Sequence, residues 1–455
     1  MSSRTRAALA VLVACLIPGT TETTPATQPV RPNIVLIVTD DMGYADIGVH
    51  GGREIPTPNI DALVRGGVQF TNGYVTGPYC SPTRAGLLTG RYQQRFGHEF
   101  NLNATARGLG LPLTETTIAD RLRSAGYRTA LFGKWHLGRG ERLHPQSRGF
   151  DEFFGFLGGQ HSYLDVGVDP VLDGRTPAKV IGYLTDTLAD RSVDFIRRHR
   201  TGPFFLYLAF NAVHTPMQAP DKYLARFPRI ADERRRTYAA MLSAMDDGIG
   251  RVMSTIASEQ LEENTLIVFL NDNGGPTMVG TTINGASNAP LRGSKRQTWE
   301  GGIRVPFALR WKARLPAGAT EARPVVQLDI LPTALAAAGV AIDPVWRLDG
   351  VSLLPFLTGA SPGLPHETLY WRLGDHMAIR KGNWKLVKTD DGPVQASPVP
   401  FDLSSAELYD LSSDVSESRN LASSEPARVH ELSDAWQRWN GELVPPLWGP
   451  GPEGP

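Results

Sequence analysis

Residues 33–41 read NIVLIVTDD. The apolar run is short, unbroken and rich in β-branched side chains, which predicts a strand buried on both faces. It ends in two adjacent carboxylates, Asp40 and Asp41. The same arrangement recurs three times. Thr129–Phe132 runs through Gly133 into Lys134-Trp135-His136; FFLYLAF, 204–210, runs into Asn211 and then His214; LIVFL, 266–270, runs into Asn271-Asp272-Asn273-Gly274. Helical patterns lie between these runs, at 116–125 before a Gly126 stop, at 182–199 and at 236–257. Strands alternating with helices predict a doubly wound α/β sheet. In such sheets ligands bind outside the carboxyl ends of the strands. A single Asp or Asn after a strand is usually a helix cap or a turn. Four strands that all end in polar residues point to a common site.

The segment 79–92, YCSPTRAGLLTGRY, carries one of only two cysteines, so the chain is not built on a disulfide framework. Pro82 suits the first turn of a helix, which places Cys80 just before that helix at its positive end. Arg84 lies four residues on, on the same face. A sulfur, a fixed cation and free backbone N–H groups then converge on one anion-sized space. The alternative is a capped surface helix with a buried thiol.

The 455 residues suffice for two to three domains, or one large and one small. Acidic and basic residues balance at 46 each, so no overall field steers the chain to nucleic acid or to an anionic membrane, and any anion recognition is local. Residues 1–30 read as a secretory signal and linker: Arg4 and Arg6 precede AALAVLVACLI, and TETTPATQP follows. Leu12-Val13-Ala14-Cys15 resembles a lipobox, in which Cys15 would carry a lipid; the alternative is cleavage a few residues later. The product is exported either way, periplasmic, outer-membrane-anchored or secreted, and a free exposed thiol at position 80 would be at risk of oxidation there. Residues 31–360 are expected to form the catalytic domain. Residues 361–445, with short alternating strands and a helix from about Pro426 to Trp439, are expected to form a small antiparallel α+β subdomain, with a tail at 446–455. The loop 95–110, with His98, Glu99 and Asn101, reads as solvated, sugar contact being the alternative.

Asp40, Asp41, Asp272 and Asn273 are hard oxygen ligands that suit Ca²⁺ or Mg²⁺ and not zinc. Three carboxylates need Arg84, Lys134 and Lys295 beside them before an anion can bind. Lys295 lies in the Gly-rich stretch LRGSKRQTWEGGIRVPF, where basic residues are mostly solvated. His136 and His214 are acid–base candidates, although either one alone reads as a hydrogen-bonded structural histidine.

Taken together these residues resemble the sulfatase family of the alkaline-phosphatase-like superfamily, over most of residues 32–440. Cys80–Arg84 extended by Leu88-Thr89-Gly90 is similar to the family's modification signature, and FGKWHLG, 132–138, to its second signature. The resemblance implies a large mixed, mostly parallel sheet flanked by helices, with the small C-terminal subdomain. It implies that a formylglycine-generating enzyme oxidises Cys80 to formylglycine, whose hydrated aldehyde attacks sulfate sulfur and then expels sulfate. By position, Asp40, Asp41, Asp272 and Asn273 would bind Ca²⁺ with residue 80. Arg84 and His136 would hold the formylglycine, and Lys134 and Lys295 would neutralise the sulfate. His214 would donate a proton to the leaving group. His161, in GFLGGQHSY, falls in a segment that supplies a further substrate contact. The overall similarity is to N-acetylgalactosamine-6-sulfatases and bacterial glycan sulfatases, which implies a sulfated carbohydrate substrate. The alternatives are an arylsulfatase, a phosphonate or phosphate ester hydrolase using the same formylglycine, and a binder of sulfated glycan without turnover.

Overall fold

The computed structural model describes residues 31–102, 108–164, 170–180, 182–396 and 401–450. Expectations for residues 1–30, Cys15 included, and for the last five residues fall outside these. The strands are β1 (Asn33–Thr39), β2 (Val68–Phe70), β3 (Gly73–Tyr74), β4 (Arg128–Lys134), β5 (Glu152–Phe156), β6 (Val171–Asp173), β7 (Thr176–Ala178), β8 (Phe204–Ala209), β9 (Thr265–Asn271), β10 (Phe307–Arg310), β11 (Ala319–Glu321), β12 (Val325–Val326), β13 (Thr368–Leu373), β14 (His376–Lys381), β15 (Trp384–Lys388) and β16 (Glu407–Asp410). The α-helices are α1 (Pro58–Arg65), α2 (Cys80–Thr89), α3 (Ile118–Ser124), α4 (Leu184–His199), α5 (Asp221–Leu224), α6 (Glu233–Ser258), α7 (Glu300–Ile303), α8 (Ile330–Ala337), α9 (Leu354–Leu357) and α10 (Pro426–Asn440).

Ten strands form one sheet in the order β11-β2-β10-β9-β1-β8-β4-β5-β6-β7. Its centre is parallel: β1 pairs with both β8 and β9, and β4 with both β8 and β5. β10 runs antiparallel to β9, so the sheet is mixed. The run of residues 33–39 is fully buried because successive side chains go to opposite faces. Val35 and Ile37 join one apolar core with residues of α4 and α6. Ile34, Leu36 and Val38 join the other, with residues of α2, α3 and α8. Helices thus cover both faces, as a parallel sheet requires.

The helix ends follow local chemistry. Thr117 and Asp120 form a capping box on α3. The Asp232 side chain accepts from Arg235 N at the start of α6. Cys80 is the first residue of α2 and not the residue before it, which puts Pro82 third in the helix. Its missing N–H still falls in the first turn, where nothing needs it.

The C-terminal part is a four-stranded antiparallel sheet, β13-β14-β15-β16, with α10 against it. A third core, containing Trp371, Trp436 and Trp439, joins that sheet to Tyr74, Trp299 and Ile303 of the preceding residues. Buried charges cross the same boundary. The Lys385 ammonium lies 2.9 Å from Glu300 Oε1 and 2.8 Å from Glu417 Oε1, with all three side chains fully buried. Two carboxylates share that one ammonium. Burial presses both pKa values upward; Lys385 overrides it for Glu300, which falls to about 2, whereas Glu417 rises to about 7. No helix among the described residues is long and apolar enough to cross a membrane.

Candidate active site

The four polar strand ends meet because β9, β1, β8 and β4 are neighbours in this order. Backbone bonds continue past the strands: Asp272 N donates to Thr39 O at 3.1 Å, Asp40 N to Ala212 O at 3.0 Å, and Val213 N to Asp40 O at 2.7 Å. Asp41 and His136 take the left-handed backbone conformation, with φ of 58° and 57°. That conformation is uncommon outside glycine and persists where surrounding structure holds it. It turns each side chain out of the strand direction just where the chain leaves the sheet. Gly159 leaves room for the His136 ring: a Cβ there would lie 2.7 Å from His136 Cε1 and Nε2, so the ring would have to shift.

Helix α2 is buried along its whole length and brings Cys80 Sγ to 3.6 Å from Asp40 Oδ1. Burial pushes the Cys80 thiol up to about 12, so it is not a ready thiolate. The Arg84 guanidinium, fully buried, donates to Asp272 Oδ2 through Nε at 3.0 Å and Nη2 at 2.8 Å, and through Nη1 to Lys134 O at 3.1 Å. Lys134 Nζ lies 2.5 Å from Asp40 Oδ2, and Lys295 Nζ 2.8 Å from Asp41 Oδ2. Both lysines are therefore inside the cluster; the loop carrying Lys295 is buried and not solvated. Burial alone would raise Asp41, but Lys295, His214 and Lys134 hold it well below the usual carboxylate range. Asp272 is raised to about 6, by burial first and then by Asp40.

His214 Nδ1 donates to Thr215 O at 2.7 Å, which leaves Nε2 facing Asp41 Oδ2 at 3.5 Å. Burial lowers His214 to about 3 and pushes His136 well below the usual histidine range. His161 is buried; its Nδ1 donates to Ser162 O at 2.6 Å and its ring tilts against Phe156. The next side chains tie that segment to His214: Tyr163 Oη donates within reach of both Asn211 O and His214 O.

One ligand atom from each of Asp40, Asp41, Cys80 and His214 falls within 4.8 Å of the others, in a buried group that a metal ion would fit. Asp272 Oδ1 and Asn273 Oδ1 are buried with no hydrogen-bond partner. Such orphaned oxygens are costly unless something binds them. The donor set is dominated by hard oxygens, which suits an ion such as calcium or magnesium. Three carboxylates against three fixed cations leave the cluster near neutral, so a divalent ion would make it attractive to an anion.

Some contributors gave no signal in the sequence. Asn284 Nδ2 donates to Asp41 O at 3.0 Å and Val213 O at 2.8 Å, and Thr282 Oγ1 donates to Asp41 Oδ2 at 3.0 Å. Both sit in an irregular polar stretch, 281–288, that reads as an ordinary loop. Tyr207, mid-strand in β8, places its hydroxyl 3.4 Å from Arg84 Nη1. The solvated reading of the loop from residue 95 is corrected for His98 and Glu99, both of which are buried. Glu99 pairs with Arg372 of β13 at 2.6 Å. Ser81 Oγ lies 2.6 Å from His98 Nε2, and Ser81 N donates to Asn101 Oδ1 at 2.9 Å. His98 and Asn101 therefore pack onto the start of α2.

Fold and site together define a hydrolase of the alkaline-phosphatase-like superfamily. The sulfatase family model matches residues 32–340, and a model described as N-sulphoglucosamine sulphohydrolase, C-terminal, matches 293–434. N-acetylgalactosamine-6-sulfatase of Canis lupus familiaris is 32% identical over 386 residues, covering 79% of this chain and 72% of that protein. An uncharacterized sulfatase of Escherichia coli (strain K12), YdeN, is 31% identical over 500 residues, covering 92% and 87%. The solved structure of Ps i-CgsB in complex with k-i-k-neocarrahexaose superposes with a TM-score of 0.84 at 35% identity, over 92% of this chain and 94% of that one. The chain belongs to the sulfatase family and is a sulfuric ester hydrolase.

Proposed function

We propose that the chain removes sulfate from a sulfated carbohydrate, using a calcium-type divalent ion and a formylglycine that a formylglycine-generating enzyme makes from Cys80. The observation that carries this reading is the position of Cys80 Sγ, 3.6 Å from Asp40 Oδ1 within a buried set of carboxylates and fixed cations. An export signal in residues 1–30 belongs to the same proposal. The carbohydrate is supported by relatives of more than 30% identity, one named N-acetylgalactosamine-6-sulfatase and one solved in complex with k-i-k-neocarrahexaose.

When bound, the ion would be held by Asp40, Asp41, Asp272, Asn273 and residue 80, and would supply Lewis-acid polarisation. Formylglycine would supply a hydroxyl nucleophile and a second hydroxyl whose deprotonation releases the product. Arg84 holds Asp272 and the Lys134 carbonyl, and so fixes the start of α2 against β4 and β9. Lys134 and Lys295 neutralise charge on the sulfate oxygens. His136 orients the group at position 80, and His161 supplies a polar contact to the substrate. His214 faces the site through Nε2; the negative charge of a bound sulfate ester would favour its imidazolium, which would then give a proton to the departing alkoxide.

The test pairs mass spectrometry of the Cys80 peptide with sulfate release from a panel of sulfated mono- and oligosaccharides and matched phosphate esters. Sulfate release is expected only from chains carrying the modified residue, and only with a divalent ion present. Full turnover by Cys80→Ala, or a strong preference for the phosphate esters, would sink the proposal.

A further inference from the structure

His136 is buried in the left-handed backbone conformation. After burial itself, Lys134, Arg84 and His214 all press its pKa down, so the ring lies among them. A residue other than glycine keeps that conformation where its surroundings hold it. The chain is anchored on either side: Trp135 N donates to Phe156 O at 3.0 Å, and Leu111 N to Leu137 O at 2.9 Å. Neither bond reaches the carbonyl of His136 itself, whose direction sets ψ. That carbonyl accepts from Ser81 Oγ at 2.6 Å. Ser81 directly follows Cys80, so one hydroxyl ties the backbone beside residue 80 to the backbone of His136.

The same oxygen lies 2.6 Å from His98 Nε2. A serine side chain has three staggered rotamers, and the contact with His98 favours the one that meets His136 O. His98 is itself fixed. It is fully buried, its N donates to Gln93 O at 3.0 Å, and its ring stands edge-on to Trp448 at 4.7 Å. Trp448 Nε1 donates to Phe100 O at 3.1 Å, and Leu447 N to Gly97 O at 2.9 Å, so the C-terminal segment braces the turn that carries His98. A phenylalanine of similar shape would pack against Trp448 without the cost of burying two ring nitrogens. Burial lowers His98 to about 3, so the ring is neutral near neutral pH and its part is geometric.

We propose that His98 is a positioning residue of the sulfatase reaction: through Ser81 it fixes the His136 carbonyl, and with it the ring that orients the group at position 80. This rests on the role given to His136 above.

The test uses three variants of the full chain. His98→Phe keeps a ring against Trp448 and removes the nitrogens; His98→Gln puts a polar atom back near the place of Nε2. Ser81→Ala removes the hydroxyl from the other end and is the milder change if His98→Phe does not fold. Rates are taken on the sulfated saccharide that the wild type desulfates fastest, per molecule with a modified Cys80 peptide. His98→Phe and Ser81→Ala are expected to lower kcat by about 10–100-fold, with KM within about 2-fold, and His98→Gln to recover much of the loss. In a His136→Ala chain, adding His98→Phe should change kcat by less than about 2-fold, because the effect runs through His136. A general loosening of the fold would lower both backgrounds alike. Crystal structures of His98→Phe and Ser81→Ala with Cys80 unmodified read the geometry without turnover, and the His136 carbonyl and ring are expected to be displaced. An unmoved His136, an unchanged kcat, equal losses in the two backgrounds, or a His98→Gln no better than His98→Phe overturns the proposal. A wild type that releases no sulfate would sink the function proposed above, and the crystal structures would still decide the part played by His98.

Discussion

Replacing Lys385 by Met removes the one ammonium that Glu300 and Glu417 share while nearly keeping its shape. Breaking a buried ion pair from one side costs about 3–5 kcal/mol, because the remaining charge has no partner. Glu300 keeps Arg304 at 3.3 Å, so the lower half of that range is expected at acidic pH. Unfolding entropy near 60 °C is about 2.1 cal/mol/K per residue, or about 0.9 kcal/mol per degree for roughly 420 ordered residues. The loss then corresponds to a fall in Tm of about 3–6 °C. The pH sign follows from Glu417. Its folded pKa, about 7, lies above the ordinary 4.5, so its contribution is present below 4.5 and is lost as pH rises through 7. Without Lys385 the carboxyl resists ionisation further, and the gap between wild type and variant widens from pH 5 to pH 8. Calorimetric melts at the two pH values read both effects. An unchanged Tm at pH 8, or a gap that narrows with pH, would refute the reasoning. Glu300 opens α7 only five residues after Lys295, so sulfate release by the variant should also lose activity at temperatures well below its Tm.

Lys134→Ala should lower kcat for sulfate release by about 10²–10³, the usual cost of losing one preorganised electrostatic contact, with KM much less affected. Gly159→Ala should leave circular dichroism and Tm nearly unchanged but reduce activity, because its Cβ displaces the His136 ring; full activity would show that the ring position is immaterial. Calcium at about 100 times its Kd should raise Tm by about 3 °C, from about 2.7 kcal/mol of linkage, and EDTA should reverse the shift. An Asp272→Asn chain should show a much smaller rise.

Much of this was legible in residues 33–41 and their three counterparts, because a strand buried on both faces needs an unbroken apolar run and its carboxyl end needs polar residues. The central strands β1, β4, β8 and β9 and the long helices α4 and α6 follow from those patterns. β2, β3, β10, β11 and β12 were not legible: they are two to four residues long, shorter than any window in which period two can be recognised. Tyr207 was hidden because a hydroxyl at the end of a ring does not disturb a strand's apolar pattern. His98 and Glu99 read as solvated because their partners are distant in the chain: Glu99 pairs with Arg372, more than 270 residues away, and the His98 ring packs edge-on against Trp448.

Helix α2 has a consequence in time. All ten of its residues are buried, and Cys80 is 1% exposed. A second enzyme that has to grasp the segment around residue 80 can do so only while the chain is still open. On the formylglycine reading the catalytic group is therefore installed before the fold closes over it, and a molecule that folds first keeps an inert thiol until it unfolds again. The yield of active protein then becomes a race between modification and folding, decided before the first substrate is met.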